Sequence, residues 1–309
     1  MAAIRNYRVK GLISPPYTPY KENGDVDLDK IDAYVDLLHK NKVLNVYVNG
    51  TTGEGPSLSL EERKQSAVRW VKAGRGKLEN VIIQVGCTSL PEAKQLAAHA
   101  QSIGASAIAC LPPWYYKNMA LDDIVDFCAQ VAACAPNLPF FYYHIPSFTE
   151  VNIKMADFFE LAKDKMPTLV GTKFTDLDFM DASAVANSDN KRFQVMSGWD
   201  QMHIAALGYG LGEGVVGAFY NFMPQVAHRL IAAFERGDLE EARKEQFRLN
   251  EIVRLNKKYS TGFILRDFMT FIGLDIGPPR LPLRPLPAEK RVLLQKELET
   301  IGFFDWIKE

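Results

Sequence analysis

Leu169-Val170-Gly171-Thr172-Lys173-Phe174-Thr175 is the stretch on which the fold turns. It is short and apolar, and it carries no polar alternation until its end, as befits a parallel strand buried on both faces. Seven further runs share that character: Val9–Ser14, Val43–Gly50, Asn80–Gly86, Ala105–Leu111, Pro139–His144, Phe193–Ser197 and Gly214–Tyr220. Gly, Pro or Asn bounds them, and an amphipathic stretch separates each from the next. Those stretches are Asp27–Lys40, Ser59–Ala73, Pro91–Ile103, Leu121–Cys134, Ile153–Asp164, Met180–Asn187 and Gln201–Leu207. Ser59 and Glu62 form a capping-box signature at the head of the second. Strand-then-helix units with short connections predict an α/β fold, a (β/α)8 barrel. The open doubly wound sheet is the alternative, but no glycine-rich dinucleotide fingerprint follows the first strand.

After the last strand only helical patterns follow: Met223–Arg236, Leu239–Lys258, Gly262–Ile272 and Ala288–Ile301. The proline-rich connector Gly277–Leu283 interrupts them. Residues 1–222 are expected to form the barrel. Residues 223–309 supply its eighth helix and a C-terminal helical extension, within one structural unit. A length of 309 residues accommodates this, since a barrel needs about 250.

The chain is 47% hydrophobic and 24% charged, with 36 basic against 37 acidic residues and a formal net charge of −1. That balance gives no footprint for nucleic acid. No apolar run approaches the roughly 18 residues of a membrane span, and Met1–Lys10 has no apolar signal core. The four cysteines form neither a CxxC pair nor a zinc-ligand pattern. They suit a reducing compartment, so a cytoplasmic protein without a metal is expected.

In such a barrel the chemistry gathers where strands end. At the sixth strand end Lys173 admits two readings. As a solvent-facing residue it is ordinary. Turned into the barrel mouth, its amine is desolvated, and a neutral amine adds to ketones to give an iminium, an electron sink for carbon–carbon cleavage. At the fifth, Tyr142 and Tyr143 alternate, so only one points inward, where a phenol can relay protons. His144 reads as a structural hydrogen-bonding residue. At the second, Thr51 and Thr52 lie among glycines, in a turn or in a nest of backbone N–H groups suited to a carboxylate. At the seventh, Asp200 after Gly198 is a helix cap or an acceptor for hydroxyls.

Taken together, Gly50–Glu54 (GTTGE), Tyr143–Pro146 (YHIP), Gly171–Thr175 (GTKFT), Gly198–Asp200 (GWD) and the Gly214–Asn221 stretch resemble the N-acetylneuraminate lyase and dihydrodipicolinate synthase superfamily over roughly residues 8–285. The resemblance implies a cofactor-independent class I pyruvate aldolase. Lys173 would be its Schiff-base lysine and Tyr143 its proton shuttle, with Thr51 and Thr52 on the pyruvate carboxylate. Tyr115 would reach across a subunit interface of a homotetramer. No arginine follows Ile145-Pro146-Ser147-Phe148-Thr149, which argues against a second substrate carboxylate. The closer likeness is to the animal N-acetylneuraminate lyase branch, in which positions matching Thr175, Gly198 and Asp200 contact a sugar chain. Two positions depart from that branch: Gln201 replaces a glutamate and Ala218 a serine. The expected partners are therefore pyruvate and a sugar-derived aldehyde. An alternative aldehyde, less polar or from another 2-keto-3-deoxy sugar acid, stays open.

Overall fold

The computed structural model describes residues 2–259 and 265–308. Eight parallel strands form one sheet: β1 (Gly11–Ser14), β2 (Asn45–Val48), β3 (Asn80–Gln84), β4 (Ala107–Cys110), β5 (Phe140–His144), β6 (Leu169–Phe174), β7 (Gln194–Ser197) and β8 (Gly214–Val216). Their order is β7-β6-β5-β4-β3-β2-β1-β8, so each of β1 to β6 neighbours its successor and β8 returns to β1. The helices between them are α1 (Lys30–Lys40), α2 (Leu60–Gly74), α3 (Leu90–Ser102), α4 (Leu121–Ala132), α5 (Met155–Lys165), α6 (Phe179–Asn187) and α7 (His203–Gly208). After β8 come α8 (Pro224–Glu235), α9 (Leu239–Tyr259), α10 (Leu265–Phe271) and α11 (Ala288–Ile301). This is the expected (β/α)8 barrel with C-terminal helices. The start of the helix expected over Gly262–Ile272 lies outside the described residues.

Pleating sorts the core into two layers. Ile13, Tyr47, Ile82, Ala109, Phe141 and Tyr143 fill the barrel. Leu12, Val46, Ile83, Cys110, Phe140 and Tyr142, one position away on the same strands, pack outward against the helices. Burying each such large side chain contributes about 1.5–3 kcal/mol. The capping box on α2 forms as expected: Glu62 N–H donates to Ser59 Oγ at 3.2 Å, and Ser59 N–H to Glu62 Oε2 at 2.8 Å.

Strands end sooner than their apolar runs. The run Gly214–Tyr220 stops as a strand at Val216, and Ala218–Asn221 turns into a 3-10 helix. The cause is Asp200, whose carboxylate accepts the N–H groups of Ala218 (3.0 Å) and Phe219 (3.3 Å) and draws the chain out of the sheet.

β6 carries an extra residue. Phe140 pairs with Leu169 but Phe141 pairs with Gly171, so Val170 is inserted as a bulge. Val170 lies in the inner layer with Phe141. Strict alternation from there would turn Lys173 outward. The bulge resets the phase: Lys173 pairs with the inward Tyr143 and Met196, and Phe174 joins the outer layer. Only glycine fits the reset point, because a Cβ at Gly171 would overlap the Gln194 carbonyl. Gly171→Ala should therefore cost about 1–3 kcal/mol in strain. Urea unfolding checks this, and an unchanged midpoint would contradict the close approach.

Candidate active site

Beyond the C-terminal strand ends lies a cavity of about 260 Å³. Thr51 and Thr52 line it from the loop after β2, Tyr143 from β5, Lys173 and Thr175 from β6, Gly198, Asp200 and Gln201 from the segment after β7, and Ala218 from the turn after β8. Tyr115 does not reach it. That residue is 75% exposed on the loop after β4, edge-on to Tyr116 at 5.3 Å between ring centroids.

Lys173 is 4% exposed. Its Nζ stands 4.1 Å from the Tyr143 ring centroid and 4.4 Å from that of Tyr47. Among the described residues no carboxylate pairs with it and no acceptor bonds it. The amine is thus held by two aromatic faces and aimed into the cavity. Tyr47 is a site residue that sequence reading missed. The period-two alternation of β2, which turns it inward, was the available signal.

The Tyr143 and Thr51 hydroxyls share a hydrogen bond of 3.1 Å, in which either can donate. The Thr51 loop is a tight turn: Glu54 N–H donates to Thr51 O and Gly55 N–H to Gly50 O, each at 3.0 Å, with Asn49 and Glu54 left-handed. Beneath it the buried Glu54 pairs with the buried Arg266 at 2.8 Å. Burial pushes the Glu54 carboxyl up, and the Arg266 guanidinium draws it back. Arg266 also donates to the carbonyls of Ile276 and Gly277, so the proline-rich connector straps down this corner of the mouth.

Thr175 N–H donates to the His144 carbonyl and Gly198 N–H to that of Phe174, each at 2.8 Å, which extends the ladder past the strands. A Cβ at Gly198 would overlap Thr175 Oγ1, so the glycine leaves that hydroxyl room. Thr175 Oγ1 is buried with no hydrogen-bond partner among the described residues. Asp200 lies across the cavity. Burial is the main cause of a carboxyl pushed up to about 7, against the two backbone donors and the Lys173 charge, which favour the anion. The far side of the cavity is apolar, with Trp199, Val216, Phe219, Val253 and Leu265.

Tyr142 and His144 face away from the cavity. Tyr142 packs on Phe158 at 4.4 Å, and His144 stacks on Phe174 at 5.2 Å with Nε2 3.4 Å from Asp176 Oδ2. Asn221, from the eighth-strand motif, is architectural. It accepts from Ser14 and Tyr34 and donates to the carbonyls of Pro15 and Ala218. Among the described residues no group of three or more His, Cys, Asp or Glu side chains could hold a metal ion.

The Dihydrodipicolinate synthetase family model matches residues 8–301. The chain is 45% identical over 279 residues to N-acetylneuraminate lyase of Xenopus tropicalis, covering 89% of this chain and 91% of that one. It is 39% identical over 305 residues to N-acetylneuraminate lyase of Mus musculus, covering 97% and 95%. Among solved structures it resembles Proteus mirabilis N-acetylneuraminate lyase with a TM-score of 0.91 and 32% identity, covering 95% of this chain and 99% of that one.

The Asp200 carboxyl gives a pH signature. Its pKa rises from 3.8 to about 7 on folding, so between those values the native state holds a proton that the unfolded chain lacks. Stability from this group therefore falls as pH rises through that window. Relative to Asp200→Asn, the wild-type unfolding free energy should decline from about pH 4 to about pH 7. Parallel curves would contradict the assignment.

Proposed function

The chain belongs to the Dihydrodipicolinate synthetase family, and on that premise we propose that it cleaves N-acetylneuraminate reversibly to N-acetylmannosamine and pyruvate through a Schiff base on Lys173. It is a class I pyruvate-dependent aldolase, a carbon–carbon lyase. One observation carries the mechanism: the buried Lys173 Nζ lies 4.1 Å from the Tyr143 ring, and the Tyr143 hydroxyl is bonded to Thr51.

In this reading Thr51 and Thr52 hold the carboxylate of the open-chain keto acid. Lys173 Nζ adds to the C2 ketone, and loss of water leaves an iminium. Tyr143 gives its hydroxyl proton to the hydroxide that leaves as water in that dehydration, and its oxygen then takes the C4 hydroxyl proton as the C3–C4 bond breaks. The bonding pair moves into the iminium to give an enamine, and the aldehyde departs. Protonation of the enamine at C3 and hydrolysis release pyruvate and regenerate the amine. The iminium is the electron sink, so the sequence needs no metal or organic cofactor.

Thr175, Gly198, Asp200, Gln201 and Ala218 face the sugar chain. With a carboxyl near 7, Asp200 can accept from a hydroxyl or donate to one. Tyr115, exposed and remote within its own chain, is read as completing the relay of a neighbouring copy in a homotetramer. The barrel (1–222) and the helices of 223–309 act as one unit. No described helix is long and apolar enough to cross a membrane, and the free cysteines suit a cytoplasmic enzyme.

The apolar far side, with Trp199, Ala218 and Phe219, favours a second reading in which the pyruvate chemistry is kept and the aldehyde is less polar or comes from another 2-keto-3-deoxy sugar acid. Pyruvate release from a panel of keto acids, with the reverse reaction run across aldehydes, separates the two. N-acetylneuraminate should be cleaved by the wild type and not by Lys173→Ala, and Tyr143→Phe should lower kcat about 10²–10⁴-fold. A shorter or aromatic aldehyde preferred over N-acetylmannosamine by more than about tenfold would overturn the sugar assignment and leave the pyruvate chemistry standing.

A further inference from the structure

Phe148 stands at the rim of the cavity, on the single helical turn Pro146–Thr149 that follows β5. It is 60% exposed, and among the described residues no other large apolar side chain of the cavity wall is exposed. The turn that carries it is braced. The N–H groups of Phe148 and Thr149 and the Thr149 hydroxyl all donate to the Ile145 carbonyl, each at 3.1 Å. Lys117, from the loop after β4, donates to the Thr149 carbonyl at 3.1 Å and pairs with Glu150 at 3.0 Å. A phenyl ring is thus held at the mouth on a fixed mount, with apolar surface that a ligand in the cavity can cover. Among the described residues, Ile145 and Phe148 are all that β5 and its loop add to the wall beyond Tyr143. Neither side chain can hydrogen-bond, and the Thr149 hydroxyl is committed to Ile145. Thr175, Asp200 and Gln201 bring their polar side chains from the segments after β6 and β7. The β5 side therefore suits a methyl group and gives a hydroxyl no side-chain partner.

We propose that Phe148 is a specificity residue that, with Ile145, packs on the acetamido methyl of N-acetylneuraminate. This rests on the proposed cleavage of that acid. Tyr143 takes the proton of the C4 hydroxyl, and the acetamido group hangs on C5, the next carbon of the chain. It therefore lies close to the strand end that carries Tyr143, and the wall that continues from that strand is Ile145 and Phe148. The amide N–H and carbonyl face the open rim, where water bonds them. Carbons 6 to 9 carry hydroxyls and run toward the polar side chains after β6 and β7. A nine-carbon keto acid with a hydroxyl in place of the acetamido group brings the ring no methyl. Packing on that methyl is made alike in ground and transition states, so it acts on KM and leaves kcat in place.

The test measures pyruvate release from N-acetylneuraminate and from its analogue with a hydroxyl at C5, by the wild type, Phe148→Ala and Phe148→Leu. The ring is exposed, so its removal leaves the core intact. Phe148→Ala should raise KM for N-acetylneuraminate about three- to tenfold, the effect of unburying one or two carbon groups, with kcat within about twofold. The C5-hydroxyl analogue should respond less than about twofold, and Phe148→Leu, which keeps an apolar side chain, should retain most of the affinity for N-acetylneuraminate. An unchanged KM for N-acetylneuraminate in Phe148→Ala, or equal losses on both acids, overturns the assignment. If the wild type releases no pyruvate from N-acetylneuraminate, the proposed function fails and takes the assignment with it, an outcome distinct from either of those.

Discussion

The inserted Val170 in β6 determines which way Lys173 points, and most of the site depends on that direction. Without the bulge, alternation would send the amine into the layer between strands and helices, among Phe158, Phe159 and the rest of the outer core, where an unpaired charge is expensive. With it, Lys173 comes level with Tyr143 on one side and Met196 on the other, and Phe174 turns out to stack on His144. Gly171 makes the reset possible by letting the Gln194 carbonyl come close. A one-residue irregularity thus converts a buried strand into the mount for a nucleophile.

Closure of the barrel imposes the second constraint. The ladder runs unbroken from β7 through to β8, but no strand pairing joins those two ends. Side chains do that work. Gln194 of β7 exchanges two hydrogen bonds, at 2.6 and 3.0 Å, with the backbone of Val9, just ahead of β1, the strand that pairs with β8. Asp200 accepts from Ala218 and Phe219 beyond the end of β8. Asp200 therefore serves the fold as well as facing the cavity. Its burial there, opposed by backbone donors, is what places its titration near neutrality.

The strands and helices were legible because each β/α unit repeats one composition pattern, and the strand-end motifs lay in register with it. What could not be read depends on contacts distant in sequence. The end of β8 is set by Asp200, and the bulge in β6 by the approach of Gln194 to Gly171, neither of which has a local signature. Tyr47 was within reach of a stricter use of alternation. The wall that α9 gives the cavity was not, because only the course of that helix over the barrel mouth brings it there. Tyr115 shows the reverse: its motif is local, while its place is 75% exposed and away from the cavity of its own chain. The departures at Gln201 and Ala218 fall on the aldehyde side, away from Lys173, Tyr143 and Thr51.

The central claim is that a covalent bond forms between Lys173 Nζ and the keto carbon of pyruvate. Incubation with pyruvate, reduction with borohydride and peptide mass spectrometry test it most directly. A single reduced pyruvate adduct on the peptide bearing Lys173, absent from Lys173→Ala, is the expected result. An adduct on another lysine, or none in the wild type, would contradict the account.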